Sequence, residues 1–151
     1  MNGLTLNVEL QDLDLIDLLS ERHSLVRRIT GNAWNDQSDI IISNSEWYIM
    51  ARIYKKQPTI SYINKNVDIS RQAIHKFIKN LSAKGLVEIN DVANNKKEKW
   101  IQLTALGEEC YEKNKALKAR LEKEIAEKIG MDQFTILKNL LQTDWGIEED
   151  R

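Results

Sequence analysis

Apolar side chains recur at helical spacing in the first part of the chain. In residues 13–33 they return every three or four positions with arginines on the other side, which predicts a long first helix. Ser43 and Glu46 have the spacing of a capping box, in which each side chain satisfies the other residue's free backbone amide, so a second helix begins there. It is expected to end near Gln57, because Pro58 disfavours helical geometry at the residue before it.

A short helix and a longer one are predicted after this proline. Thr59 is a suitable cap for a third helix, and Ser70 for a fourth that runs through residues 71–84. Gly85 then stands where a left-handed residue closes a helix. The fourth helix has an inward apolar stripe at i, i+3, i+4 and i+7, which consists of Ile74, Phe77, Ile78 and Leu81.

The pattern next changes to that of a hairpin followed by two more helices. Residues 86–89 and 100–103 are short β-rich segments, and the polar stretch 90–99 between them predicts an extended loop. Thr104 is expected to cap a long, charged fifth helix that Gly130 ends, and the apolar spacing from Met131 onward predicts a sixth. This order predicts a mainly α fold of the α+β class with a small antiparallel sheet.

Composition narrows the class of protein. The 151 residues are expected to form a single domain, 1–151, because no Gly/Ser-rich or low-complexity tract suggests a linker. No apolar run approaches the roughly 18 to 20 residues that cross a bilayer, and the first residues lack the regions of a signal peptide. The single cysteine, Cys110, agrees with a reducing compartment. We therefore expect a cytoplasmic protein with no membrane partner.

Motifs for catalysis are missing from the sequence. It contains no Gly-rich phosphate loop, no nucleophile elbow and no paired catalytic carboxylate motif. His23 and His75 stand far apart without a Cys/His cluster, so no metal site is predicted. The sequence thus predicts a protein that is not an enzyme and that uses no cofactor.

The formal charge is unevenly distributed along the chain. The net charge is −1, but residues 46–100 alone carry +6. One interpretation is chance clustering of solvated side chains. The functional interpretation is an electrostatic footprint for the phosphates of nucleic acid.

The third and fourth predicted helices together have the pattern of a helix-turn-helix. The second helix of such a motif presents polar and basic side chains to the major groove. No Asp or Glu occurs from Ser70 to Gly85, which favours DNA contact over an ordinary solvated surface. The candidate DNA-binding residues here are Ser70, Arg71, Gln72, His75, Lys76 and Lys79.

The predicted hairpin loop supports the same interpretation. A basic tip placed directly after a recognition-type helix is the arrangement called a wing, which can reach a phosphate or the minor groove. The alternative to a DNA-binding wing is a solvent-exposed turn with no role in binding. The candidate DNA-binding residues of the loop are Asn94, Asn95, Lys96 and Lys97.

Several strings resemble the MarR family of bacterial winged helix-turn-helix regulators over nearly the whole chain. Residues 42–47 resemble the start of the family's second helix, and residues 63–70 its helix, turn and cap. SRQAIHKFIKNLSAKGL, residues 70–86, is similar to its recognition helix. LTALG, residues 103–107, matches the Leu-Thr-x-x-Gly start of the long helix after the wing.

The resemblance implies a transcriptional regulator, expected to be a repressor, that binds double-stranded DNA as a homodimer. Residues 43–104 would form the DNA-binding lobe, and residues 10–35 and 105–145 a helical dimerisation region. The dimer would bind a pseudo-palindromic site with half-sites about 10 base pairs apart. Packing of the two termini within one chain is the alternative to dimerisation. The candidate dimerisation leucines are Leu15, Leu18, Leu19, Leu137, Leu140 and Leu141.

Two parts of the chain depart from the family's pattern. Asn95 and Lys97 stand where the wing usually has an aspartate and an arginine, and lysine lacks the planar fork of arginine. Asp68 stands where the turn often has a glycine, although aspartate can adopt a left-handed conformation at modest cost. The missing arginine in the wing leaves open a second function, a winged-helix module that binds a protein partner and not DNA.

Regulation by a small effector is also implied by the resemblance. Trp34, Trp47 and Tyr48 are candidates for an effector pocket, although such aromatic residues are more often core residues. Cys110 could sense oxidants, as in some members of the family. Its place on an apolar stripe without a second cysteine favours a buried structural thiol instead.

Overall fold

A computed structural model of the protein describes residues 10–93 and 95–148, with the backbone alone at position 96. Contacts within the chain divide it into two compact units, residues 1–114 and 115–151. The first unit contains the helix-turn-helix, the hairpin and the start of the following long helix, and the second contains the rest of that helix and the last one. The helices are α1 (Leu15–Gln37), α2 (Asn44–Ile53), α3 (Ile60–Asn66), α4 (Arg71–Ala83), α5 (Ala105–Ile129) and α6 (Met131–Gln142).

The first helix is capped by a residue that its apolar pattern did not single out. Asp14 is the N-cap of α1, and its carboxylate accepts a hydrogen bond of 2.9 Å from the backbone amide of Asp17. The helix continues to Gln37, four residues beyond the predicted end at residue 33. Trp34 lies on this last turn and is buried, so the extra turn carries a core residue.

The capping box predicted for α2 is present. The Ser43 hydroxyl accepts from the Glu46 amide at 3.2 Å, and the Glu46 carboxylate accepts from the Ser43 amide at 2.8 Å. The expected end near Gln57 is wrong, because α2 stops at Ile53. Lys55 has a φ of 55°, which turns the chain out of the helix before the proline can act.

The core of the first unit lies between α2, α3, α4 and the hairpin. Apolar spacing at i, i+3 and i+4 brings one side of each helix to this core. Helix α4 follows the predicted stripe, with Ile74, Ile78 and Leu81 buried and Phe77 half-buried. The other fully buried aliphatic side chains are Ile49, Met50, Ile53, Ile63, Leu86 and Ile101.

The hairpin is more regular than the sequence predicts. Strands β1 (Val87–Val92) and β2 (Asn95–Leu103) pair in antiparallel fashion from Val87 opposite Leu103 outward, with an irregularity between Asp91 and Val92. The prediction of an extended loop at residues 90–99 is wrong, because most of that stretch is strand. The base of the ribbon is buried at Val87, Ile101 and Leu103, whereas its outer part is exposed to water, so charged residues enter the outer part without a burial cost. The base of the ribbon also pairs with the segment before α3, through a bridge between Thr59 and Trp100.

The second unit continues from α5 into α6. Gly130 separates the two helices with a φ of 97°, as its place in the sequence predicts. No residue of α6 is buried. Among residues 10–93 and 95–148, no helix is long and apolar enough to span a membrane.

Candidate nucleic-acid interface

A short turn joins α3 and α4. The Val67 amide donates to the Ile63 carbonyl at 3.0 Å, and the Ile69 amide donates to the Val67 carbonyl at 2.9 Å. Asp68 does not adopt the left-handed conformation that glycine often has at this position of the family's turn. In the described part of the chain, the non-glycine residue with positive φ is Lys55. The Ser70 hydroxyl then caps α4 by accepting from the Ala73 amide at 3.2 Å.

One side of α4 is a continuous polar and basic surface. The helix buries its apolar stripe against the core and leaves its other side to solvent. No carboxylate occurs on the helix, so no acidic group opposes an approaching phosphate from it. The structure places the following predicted residues together on this exposed surface, which we call the reading face: Arg71, Gln72, His75, Lys76 and Lys79.

The C-terminal end of α4 is closed by two kinds of contact. Gly85 has a φ of 76°, and the Leu86 amide reaches back to the Leu81 carbonyl at 3.0 Å, which is the hydrogen bond of a Schellman motif. Lys84, the C-cap, donates from Nζ to Glu46 Oε1 at 2.7 Å. The Schellman glycine was predicted from the sequence, but this ion pair was not, because 38 residues separate its members.

The wing carries fewer free positive charges than its sequence suggests. Lys97 is exposed, and the Asn95 side chain accepts from the Lys97 amide at 3.0 Å, which shapes the tip. Lys99 is paired with Asp91 across the two strands. Asn94 and the side chain of Lys96 lie outside the described residues.

The wing is fixed to α3 by a hydrogen bond. The Ser61 hydroxyl lies 3.0 Å from Glu98 Oε2 and 3.1 Å from Glu98 Oε1, so it donates to this carboxylate. Neither residue was singled out in the sequence. This contact adds to the bridge between Thr59 and Trp100 in joining the ribbon to the helix-turn-helix, and it adds a carboxylate to the wing.

The two tryptophans predicted for an effector pocket lie against each other. The rings of Trp34 and Trp47 meet edge to face with centroids 5.0 Å apart, and both are buried. They line a small cleft of about 70 Å³ with Arg27 and Asn114. Tyr48 does not line this cleft; its hydroxyl accepts from Arg52 at 2.9 Å.

Cys110 is buried on α5, where its apolar stripe predicted it. Burial raises the pKa of the thiol, and the neighbouring Glu109 carboxylate raises it further. A thiol that resists ionisation is a weak nucleophile. Within the described residues, no group of three or more His, Cys, Asp or Glu side chains could hold a metal ion.

The predicted dimerisation leucines are largely exposed in the single chain. Leu15 is 61% exposed on α1, and Leu140 and Leu141 are 56% and 53% exposed on α6. Leu19 and Leu137 are exposed as well, whereas Leu18 is half-buried.

A helix-turn-helix followed by an antiparallel ribbon that packs beside it defines a winged helix-turn-helix protein. Solved structures share this fold over most of the chain. They include wild-type MarR from E. coli in its apo form, with a TM-score of 0.69, 20% identity and coverage of 86% of this chain and 96% of that chain. The fold expected from the resemblance to the MarR family is thereby confirmed.

Two further structures with the same fold were solved with bound molecules. FabT from Streptococcus pneumoniae, in complex with DNA, has a TM-score of 0.73 at 18% identity and covers 85% of this chain and 90% of that chain. NadR in complex with 4-hydroxyphenylacetate has a TM-score of 0.62 at 24% identity and covers 85% of this chain and 89% of that chain. No protein-family model matches the sequence, and no curated protein matches it.

Proposed function

We propose that this chain is a MarR-family transcriptional regulator that binds double-stranded DNA sequence-specifically, and that it is not an enzyme. The observation that carries the proposal is the reading face of α4, which is exposed, basic and free of carboxylates. Arginine and lysine on such a helix contact phosphates and guanine edges, and glutamine and histidine read base edges in the major groove. FabT, which shares the fold, was solved in complex with DNA, and this supports DNA as the ligand.

The regulator acts as a homodimer on a pseudo-palindromic operator and represses by occupying a promoter. Large apolar side chains on α1 and α6 support dimerisation, because single-chain burial leaves Leu15, Leu140 and Leu141 more than half exposed. An isologous dimer would present two reading faces to inverted half-sites about 10 base pairs apart.

The effector is a small aromatic carboxylate that enters the cleft beside Trp34 and Trp47. Arg27 on its rim supplies a cation for the carboxylate, and the indole rings supply an apolar wall. NadR, which shares the fold, was solved with a molecule of this chemistry. At about 70 Å³ the cleft is far smaller than the roughly 300 Å³ of a typical ligand pocket, so binding requires the cleft to widen.

The proposed function is tested by fluorescence-anisotropy titration against random duplex DNA and against the DNA upstream of the chain's own gene. We expect tighter binding to the upstream DNA that persists at physiological salt. Equal, weak binding to both that disappears as salt rises would indicate only nonspecific phosphate attraction.

A protein-binding module is the second candidate function. It is favoured by the wing, where Lys99 is neutralised by Asp91 and Glu98 adds a negative charge. A folded dimer that binds neither DNA at low salt would support it. In that case the reading face would be a docking surface for an acidic protein.

A further inference from the structure

The Lys84 ammonium group binds two other parts of the first unit. Besides its bond to Glu46, its ammonium group donates to the Ile41 carbonyl at 2.6 Å. The Glu46 side chain is only 3% exposed, whereas that of Lys84 is 30% exposed. The last turn of α4 is therefore attached both to the first turn of α2 and to the segment before α2.

That segment, residues 38–43, is called the linking segment below because it is held from both sides. The Ile40 carbonyl accepts from Trp34 Nε1 of α1 at 2.8 Å, and the adjacent Ile41 carbonyl accepts from Lys84. Two consecutive carbonyls thus join α1 to the end of α4. Because Ile40 and Ile41 are adjacent in the chain, a displacement of the backbone at one of them displaces the other.

The linking segment also borders the tryptophan cleft. Ile41 and Ile42 line the cleft together with Trp34, and Ile41 is 75% exposed. A change in the cleft or at the end of α1 therefore acts on the same backbone that Lys84 holds.

Stability alone is a weak explanation for this ion pair. The desolvation of a buried carboxylate offsets much of its attraction to lysine, and apolar replacements of such pairs are often neutral or stabilising. A charged, directional contact instead fixes one geometry out of several that apolar packing would allow. Fixing the end of α4 matters because the reading face lies on this helix, which is about 20 Å long.

We propose that Lys84 is a positioning residue for DNA recognition, which ties the orientation of α4 to the linking segment and through it to Trp34. The reading face is then displaced whenever the linking segment moves. The inference rests on the proposed function for its consequence at DNA, whereas the mechanical link itself is a property of the free protein.

The link is tested first without DNA, by amide hydrogen exchange on the full chain. Trp34→Phe removes the indole donor to Ile40, and we expect faster exchange both in residues 38–43 and in residues 80–85. In a Lys84→Met background, Trp34→Phe should still affect residues 38–43 but no longer residues 80–85. An effect on residues 80–85 that is the same in both backgrounds, or absent in both, would overturn the proposal.

Glu46→Gln provides a second route if Lys84→Met does not fold. Glutamine is accepted at this position of a capping box, so α2 keeps its cap while the charge that holds Lys84 is lost. We expect the coupling to weaken in this background but not to disappear, because Lys84 keeps its bond to the Ile41 carbonyl. Coupling as strong as in the wild type would overturn the role of the ion pair.

The consequence for recognition is tested by titration with the upstream DNA. We expect Lys84→Met to weaken specific binding about tenfold, within the usual range of coupling between sites, without changing the salt slope or the affinity for random duplex. Lys84→Arg keeps the positive charge and should therefore retain most of the wild-type affinity for the upstream DNA. Lys79→Met is the matched control on the reading face, and its salt slope should fall by about one unit.

Two results would contradict this consequence. Unchanged specific affinity in folded Lys84→Met would overturn the positioning role, and a reduced salt slope would show that Lys84 contacts phosphate directly. Wild-type protein that binds no DNA would instead overturn the proposed function, and the exchange experiment would still decide whether the link exists.

Discussion

The Thr104 hydroxyl donates a hydrogen bond of 2.6 Å to the Gly85 carbonyl, which joins the end of α4 to the start of α5 across the whole wing. The same hydroxyl accepts from the Gly107 amide at 3.0 Å and so caps α5. The Thr104 amide in turn donates to the Leu86 carbonyl at 3.0 Å. The threonine and glycine of the Leu-Thr-x-x-Gly string thus hold the two ends of the hairpin together.

Gly107→Ala should destabilise the fold. A Cβ at this position would lie 2.0 Å from the Leu86 carbonyl oxygen, so the backbone has to shift. We expect a loss of about 3 kcal/mol in the free energy of unfolding, at the upper end of overpacking effects, measured by urea denaturation. Gly31→Ala is the control, because nothing lies within 4 Å of its Cβ position on α1 and alanine should stabilise the helix by about 0.5 to 1 kcal/mol. Equal stability of the two variants would refute this explanation.

Lys76→Ala and Lys79→Ala should each weaken DNA binding with little loss of stability. Both side chains are exposed on α4, and each lost phosphate contact lowers the slope of log affinity against log salt by about one unit. Anisotropy titrations at several salt concentrations measure the slope. Lys123→Ala, on the exposed side of α5, is the control and should leave it unchanged. If both variants kept the salt slope of the wild-type protein, the reading face would not contact DNA.

Leu140→Gln combined with Leu141→Gln should convert the proposed dimer into monomers. Both side chains are more than half exposed in the single chain, so their replacement costs no core packing within it. Light scattering after size-exclusion chromatography gives the mass. Asn139→Ser on the same helix is the control and should leave a dimer. If the double variant remained dimeric, α6 would not form the dimer interface.

Stability should fall as the pH rises from 10 to about 12, because of Tyr54. Its hydroxyl donates to Glu112 Oε2 at 2.6 Å, and this hydrogen bond, with some burial and nearby carboxylates, raises the pKa of Tyr54 from 10.0 to about 12. The folded state then holds a proton that the unfolded state has lost, so this contribution is complete below pH 10 and disappears above the folded pKa.

The pKa of Tyr54 can be followed by ultraviolet absorbance of the phenolate. Glu112→Gln should bring the pKa of Tyr54 back toward 10, because the amide removes the negative charge that opposes ionisation. Tyr54→Phe identifies the signal of this residue. An identical titration in wild type and Glu112→Gln would show that the hydrogen bond does not control ionisation.

Local sequence determined the helices and their caps. Ser43 with Glu46, Ser70, Thr104 and Gly85 all act as their spacing predicts, because a cap involves residues only three or four positions apart. The exposed face of α4 followed from the same local rule, since an apolar stripe of period 3.6 fixes which side faces solvent.

Tertiary structure alone decided the contacts between residues distant in the chain. The bond from Lys84 to Glu46, the bond from Ser61 to Glu98 and the pairing of Lys99 with Asp91 all depend on how elements pack. The length of the wing strands was also decided by tertiary structure, because each strand forms its backbone hydrogen bonds with the other strand. The polar composition of residues 90–99 does not reveal that pairing. Sequence spacing specifies a side chain's direction around its own helix, whereas its partner across space is specified only when the core forms.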